Sequence, residues 1–173
     1  VPIFFLRPHP DYPSPVARIA VEVERMDTDN LRLTYRIGGD LSRVAIPKVR
    51  PAERADKLWQ HSCCEAFFAA GQGYYEFNFA PSSQWAAYRF DGHRAGMRDA
   101  ETAAPAIAWD RDGEAGKLVA IVPLPSGITG PLGLSAIIED TDGNRSFWAL
   151  AHPSGEPDFH DAACFAAQLP PAG

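Results

Sequence analysis

Leu58-Trp-Gln-His-Ser-Cys-Cys-Glu-Ala-Phe-Phe-Ala69, Gly73-Tyr-Tyr-Glu-Phe-Asn-Phe-Ala-Pro81 and Gln84-Trp-Ala-Ala-Tyr-Arg-Phe90 are the segments whose reading decides the fold. Aromatic, acidic and amide side chains recur in them at every second residue. That is the repeat of a β-strand, whose successive side chains point to opposite faces of a sheet. Gly71-Gln-Gly73 and Pro81-Ser-Ser83 separate the runs with turn residues. The reading is three consecutive antiparallel strands: Leu58 to Ala70, Tyr74 to Phe79, and Trp85 to Phe90. Tyr75, Phe77 and Phe79 fall on one face, and Tyr74, Glu76 and Asn78 on the other; in the third strand Tyr88 and Phe90 are expected in the core, with Trp85 and Arg89 opposite.

The same alternation extends outward. Ile19, Val21 and Val23 oppose Arg18, Glu22 and Glu24. After the turn Asp27-Thr-Asp-Asn30, the residues Leu31, Leu33, Tyr35 and Ile37 alternate with Arg32, Thr34 and Arg36. These two runs read as a hairpin. Ala106 to Asp110, Lys117 to Leu124, Leu132 to Asp140 and Arg145 to Ala151 read as further strands, with Asp112-Gly113 and Asp142-Gly143 as hairpin-turn pairs. Cys164 to Leu169 reads as a last strand. Residues 41 to 57 read as a loop with room for one short strand, and the only two stretches that could be helix, Pro51 to Lys57 and Arg94 to Thr102, are both short. The count is about ten strands, which predicts an all-β, jelly-roll-like sandwich of two antiparallel sheets.

Composition agrees and excludes other classes. The chain has 173 residues, a length for which one domain spanning 1–173 is the expectation. Its 16 prolines and 14 glycines punctuate too often for a helical bundle. A formal net charge of −6 argues against nucleic acid, which selects a basic face. The apolar runs are a few residues long, against the ~20 that a membrane-spanning helix needs. Val1 to Leu6 is short for a signal-peptide core and has no basic leader, so the expected location is the cytoplasm; a processed secreted chain could begin the same way. Cys63, Cys64 and Cys164 make a poor disulfide framework, and reduced thiols are expected. Adjacent strand residues face apart, so Cys63 and Cys64 are expected in different surroundings. No cofactor is expected, and the sequence sets no oligomeric state.

The candidate site follows from parity. If the non-core faces of the three central strands adjoin, Trp59, Glu65, Glu76, Asn78, Trp85 and Arg89 converge. Sugars present C–H faces that pack on rings and hydroxyls that need directed donors and acceptors, and this set supplies both. Alternatively, the two tryptophans cap a sandwich edge and Arg89 pairs with Glu76 across a hairpin. On the sugar reading Trp85→Ala is expected to abolish binding without unfolding the protein.

Other chemistry is open to some of these side chains. Met97 with His93, His152 or His160 could ligate haem axially. His152, Asp158, His160 and Asp161 could ligate a metal, although their spacing matches no closed motif. Glu65 and Glu76 could act as a glycosidase pair if suitably spaced. His61, Ser62 and Cys63 cannot form a nucleophile-and-base arrangement, because neighbours on a strand point apart.

Three segments together resemble the DOMON-like superfamily. They are Leu58-Trp59…Glu65-Ala-Phe67-Phe68, then Tyr74-Tyr75-Glu76-Phe77-Asn78-Phe79-Ala80-Pro81…Trp85…Tyr88, and Phe147-Trp-Ala-Leu-Ala-His152-Pro153…Pro157-Asp158-Phe159-His160. The nearest branch is bacterial proteins similar to family 9 carbohydrate-binding modules. The resemblance implies a ligand-binding β-sandwich that takes sugar or haem, with no shared catalytic residue. Members often carry an acid two residues before the first-motif Glu. Cys63 stands there, so any contact that acid would make is missing. The expectation is a non-catalytic module for a carbohydrate or other small polar ligand. A haem-binding domain and a protein-interaction module are the alternatives.

Overall fold

The computed structural model describes residues 1–172; Gly173, the last residue of the expected domain, lies outside them. In chain order the strands are β1 (Ile3–Phe5), β2 (Arg7–Pro8), β3 (Val16–Arg25), β4 (Asn30–Gly39), β5 (Cys63–Ala70), β6 (Gly73–Phe79), β7 (Trp85–Phe90), β8 (Arg98–Asp99), β9 (Ala106–Asp112), β10 (Ala115–Pro123), β11 (Pro131–Glu139), β12 (Arg145–Ala149) and β13 (Ala167–Gln168). Helical structure among the described residues is confined to three single 3₁₀ turns. None is long and apolar enough to cross a membrane.

The strands form two antiparallel sheets. One has the order β1-β3-β4-β10-β9, the other β2-β12-β11-β5-β6-β7-β8 with β13 beside β11. The expected all-β sandwich is the observed fold. Between the sheets lies the main core. Val21, Leu33, Tyr35 and Leu118 of the five-stranded sheet meet Phe68, Phe77, Phe79 and Leu134 of the eight-stranded one. All eight are at most 1% exposed. Tyr35 brings a hydroxyl into this apolar layer and donates to the Glu65 carbonyl at 2.6 Å, which ties the two sheets at the strand that carries the candidate site.

Three local readings change. Leu58–Gln60 is a 3₁₀ turn rather than the start of the long strand, entered from Lys57 at φ +60°. Pro51 to Lys57 is not helical. Its backbone runs beside the first half of β7, where Trp85 N–H donates to Glu53 and Ala55 N–H to Trp85. β8 pairs only the later residues Tyr88 and Arg89, so without this segment the Trp85 N–H and C=O that point away from β6 would lack partners. Arg94 to Thr102 is not helical either. Arg94 at φ +53° and Gly96 at φ +69° leave the right-handed region, and a Cβ on Gly96 would lie 2.1 Å from the Asp91 carboxylate. The chain turns there and returns to β7 as β8.

The last expected strand shrinks to β13, preceded by a 3₁₀ turn at Ala162–Cys164. The two short N-terminal strands had too few residues to show a period.

Candidate functional site

A second hydrophobic cluster covers the outer face of the eight-stranded sheet. Alternation in β5 sends Cys64, Ala66 and Phe68 inward and Cys63, Glu65 and Phe67 outward. In β6 it sends Tyr75, Phe77 and Phe79 inward and Tyr74, Glu76 and Asn78 outward. Register sets the outer neighbours: Glu65 lies opposite Asn78 on one side and Ser135 on the other, and Glu76 opposite Phe67 and Tyr88. Glu65 and Glu76 are therefore diagonal neighbours on adjacent strands, within reach of one another.

An outer sheet face is often solvated. Here two irregular segments cover it. Residues 91–97 fold over from the end of β7, and residues 150–165 fold back after β12. They are joined at Asp158, which accepts from His93 Nε2 at 2.6 Å and from Arg94 at 3.0 and 3.2 Å. Tyr74 binds both segments from below. Its hydroxyl accepts the Arg94 backbone N–H at 3.1 Å and meets His160 Nδ1 at 2.7 Å. With the ring neutral, assigning the hydroxyl proton to the Nδ1 contact puts the imidazole proton on Nε2, 3.6 Å from Glu76. The His160 ring packs edge-on against Phe67 and Phe90.

Between cover and sheet is a cavity of about 330 Å³. Trp59, Phe90, Phe147 and Phe159 wall it, with Ile137 and Met97. Its polar lining is Glu65, Glu76, Arg94 and His160. The floor is electrostatically unusual. Glu65 is 2% exposed and Glu76 4%. Burial, followed by the nearness of Glu76, holds the Glu65 carboxyl well above the ordinary range. Burial raises Glu76 to about 7, opposed by the Asn78 amide and the Arg94 charge. With its amide turned to satisfy both groups, Asn78 donates to Glu76 Oε1 at 3.0 Å and to the Phe77 carbonyl at 3.2 Å. Burial lowers His160 to about 4, so the ring is neutral at pH 7. The cavity can grip a ring between aromatic walls and exchange hydrogen bonds with carboxyl groups that hold or release protons near neutrality.

Of the six residues expected to converge, the fold brings four to this side. Trp59, Glu65 and Glu76 line the cavity, Trp59 from the 3₁₀ turn rather than from a strand. Asn78 is wholly buried beneath it and acts through Glu76. Trp85 and Arg89 do not converge with them. Trp85 pairs with Phe79 and Arg89 with Tyr75, so both belong to the inner face. Trp85 joins the inter-sheet core under the Arg54 guanidinium, 4.5 Å from its ring centroid. Arg89 lies 4.6 Å over the Tyr75 ring and donates to the Ala70 carbonyl. Tyr88 and Phe90, expected in the core, are on the site side instead. Both faces of β7 carry aromatics and both are buried, so alternation alone could not say which was inner.

All three cysteines are free and buried, with Cys64 in the inter-sheet core and Cys63 in the outer cluster. His152 is away from the cavity, bonded to the Arg7 carbonyl at 2.7 Å and edge-on to His9. Asp161 caps the 3₁₀ turn at Ala162–Cys164. No group of three or more His, Cys, Asp or Glu among the described residues is arranged to hold a metal. Met97 and His160 both line the cavity, but the two His160 nitrogens are turned to Tyr74 and Glu76.

Sequence reasoning missed Phe90, Arg94, Phe147 and Phe159 as cavity residues. The motif Phe147…Pro157-Asp-Phe-His160 was the available signal, since its aromatics sit in a Pro/Gly-rich segment where a core role is not expected.

No protein-family model matches the chain, and no curated protein sequence does. Solved structures do. The fold is similar to that of a Bacteroides uniformis protein described as a "putative carbohydrate-binding protein", with TM-score 0.67, 13% identity, and coverage of 95% of this chain and 84% of that one. A family 9 carbohydrate-binding module from Caldicellulosiruptor kristjanssonii, in complex with glucose, matches at TM-score 0.47 and 8% identity over 80% of this chain and 69% of that one. At such identity the first likeness establishes the two-sheet fold.

Proposed function

We propose that this protein is a non-catalytic carbohydrate-binding module of DOMON-like type, taking one sugar unit in the cavity on the outer face of the eight-stranded sheet. The observation that carries the reading is the cavity itself: about 330 Å³, aromatic at the walls and carboxyl-lined at the floor. That size and lining suit a small polar ring. Trp59 offers a half-buried ring for a sugar C–H face. Glu65 and Glu76 exchange hydrogen bonds with hydroxyls, donating when protonated and accepting when ionised. Asn78 holds the Glu76 carboxyl in place, and the Asp158 clasp holds the cover.

A thermal-shift panel of mono- and oligosaccharides tests this. A ligand that binds only the native state adds about 2.7 kcal/mol at a hundredfold excess over its Kd, a rise of several degrees. The expected result is a shift with a sugar that Trp59→Ala eliminates. A folded protein that shifts with no sugar overturns the reading. Turnover of a chromogenic glycoside that is lost in Glu76→Gln overturns its non-catalytic part.

A further inference from the structure

The cavity floor carries more acid than the protein neutralises. Glu65 Oε1 is met by the Cys63 thiol at 3.8 Å and Oε2 by the Ser135 hydroxyl at 3.3 Å. Glu76 takes the Asn78 amide at 3.0 Å and faces His160 Nε2 at 3.6 Å. Two carboxylates offer about eight lone-pair sites, and these four donors are uncharged. Arg94 lines the same cavity, but its guanidinium is bonded to Asp158 at 3.0 and 3.2 Å. The walls point the same way. The faces of aromatic rings are negative and attract a cation, most strongly when it is desolvated. A neutral hydroxyl satisfies one lone pair at a time and leaves this pair of buried acids otherwise as it was. An ammonium group brings three donors and the missing charge together.

We propose that the sugar bound here carries a primary amine, and that its ammonium group sits on the Glu65 and Glu76 carboxyls while the ring packs against Trp59. The inference rests on the carbohydrate reading of the cavity and names the substrate class. Binding then has a proton balance. The ligand enters as R–NH₃⁺, and each carboxyl that ionises to receive it gives one proton to the buffer. Other titratable groups face the pair from every element packed against it. Cys63 comes from β5, Tyr74 from β6 and Tyr88 from β7. His93 and Arg94 come from one covering segment, and Asp158 and His160 from the other. Burial keeps Cys63, Tyr74 and Tyr88 protonated and His160 neutral, and Asp158 is held ionised by His93 and Arg94. The two glutamates are the groups the ammonium would touch, and the released proton is assigned to them on that contact.

Isothermal titration of the folded chain with glucosamine, glucose and cyclohexylamine, in phosphate and in MOPS (two buffers without a primary amine that differ in heat of ionisation) at pH 7, is the test. Glucosamine is expected to bind about tenfold or more tighter than glucose, equivalent to ~1.4 kcal/mol. Its heat is expected to differ between the two buffers by an amount that reports proton release. Glu76→Gln is expected to weaken glucosamine more than glucose and bring the two within about twofold of each other, with Glu65→Gln behaving alike if it folds. Equal binding of glucose and glucosamine with no proton release overturns the amine assignment and leaves the carbohydrate reading standing. Binding of cyclohexylamine without either sugar overturns both and points to a simple organic cation. A folded protein that binds none of the three overturns the amine assignment, and the wider sugar panel then decides the carbohydrate reading separately.

Discussion

The two faces of β5 and β6 are about equally hidden from water, yet they differ in nearly every other respect. The inner face is a layer of Phe68, Phe77 and Phe79 against the second sheet, interrupted by the Cys64 thiol and by the Tyr35 hydroxyl that donates to a carbonyl. The outer face buries two carboxyls, an amide, a thiol and a phenol beneath a cover of irregular chain. Close packing of apolar groups stabilises a fold, whereas burying acids without a cation costs free energy unless they keep their protons. Burial fraction therefore does not separate core from site in this sheet; the chemistry of what is buried does.

Substitution of Trp85 is the sharpest way to break that comparison. On the inner face its removal opens a hole between the sheets and strands Arg54. Trp85→Ala is expected to destabilise by about 3–5 kcal/mol and lower Tm by about 10 °C, contrary to the selective loss of binding that alternation alone suggests. Calorimetric unfolding checks it. A variant that melts like wild type and loses sugar binding would put Trp85 back in the site.

The pH dependence of stability probes the outer face. Glu76 has a folded value of about 7 against an ordinary 4.5, so the native state holds the proton more tightly. Its contribution is complete below about pH 4.5 and is lost as pH rises toward 7; Glu65 acts in the same direction and further. His160, lowered from 6.5 to about 4, works oppositely: its contribution is present above 6.5 and lost as pH falls toward 4. Above pH 6.5 only the carboxyls remain, and Tm is expected to fall from there. Glu65→Gln should remove up to ~1.4 kcal/mol of that loss per pH unit. Melting curves from pH 5 to 8 measure it, and a variant whose Tm follows the wild-type slope would mean that Glu65 is ionised in the folded protein.

Tyr74→Phe tests the cover. Losing the hydroxyl that binds Arg94 N–H and His160 Nδ1 should cost about 1–2 kcal/mol. It should also speed amide exchange around residues 92–96 while leaving β4 and β5 protected, as hydrogen exchange would show. Uniform acceleration through both sheets would make Tyr74 part of the global core instead. The smallest stability effect is expected at Trp59. Trp59→Ala on a half-buried 3₁₀ turn should change stability by about 1 kcal/mol or less, while removing the sugar-induced rise in Tm.

Much of this was legible along the chain. Period-two patterning in Ile19-Val21-Val23, Leu31-Leu33-Tyr35 and Tyr75-Phe77-Phe79 identified strands and their inner faces correctly, because each has polar partners at the alternate positions. β7 has none of that contrast: Trp85, Tyr88 and Phe90 are all aromatic, and Arg89 lies inward over a ring. Its orientation is set by the Phe79–Trp85 register across a five-residue connection, which no local periodicity encodes. The two stretches that could have been helices are not helical for a related reason. Helical spacing over a few residues is weak against an unpaired sheet edge that needs hydrogen-bond partners, and both segments supply them to β7.

What the sequence by itself determined is the all-β class, the central hairpins, and the alternating sets that put Glu65 with Cys63 and Phe67 on one strand face and Glu76 with Asn78 and Tyr74 on another, since alternation and turn residues are local properties. What only the tertiary structure decided is that this face is covered. Residues 91–97 and 150–165 lie far apart in the chain, and they meet because Asp158 draws His93 and Arg94 to it while Tyr74 holds both from below. That long-range closure excludes water, raises the carboxyl pKa values and makes a cavity out of a sheet surface.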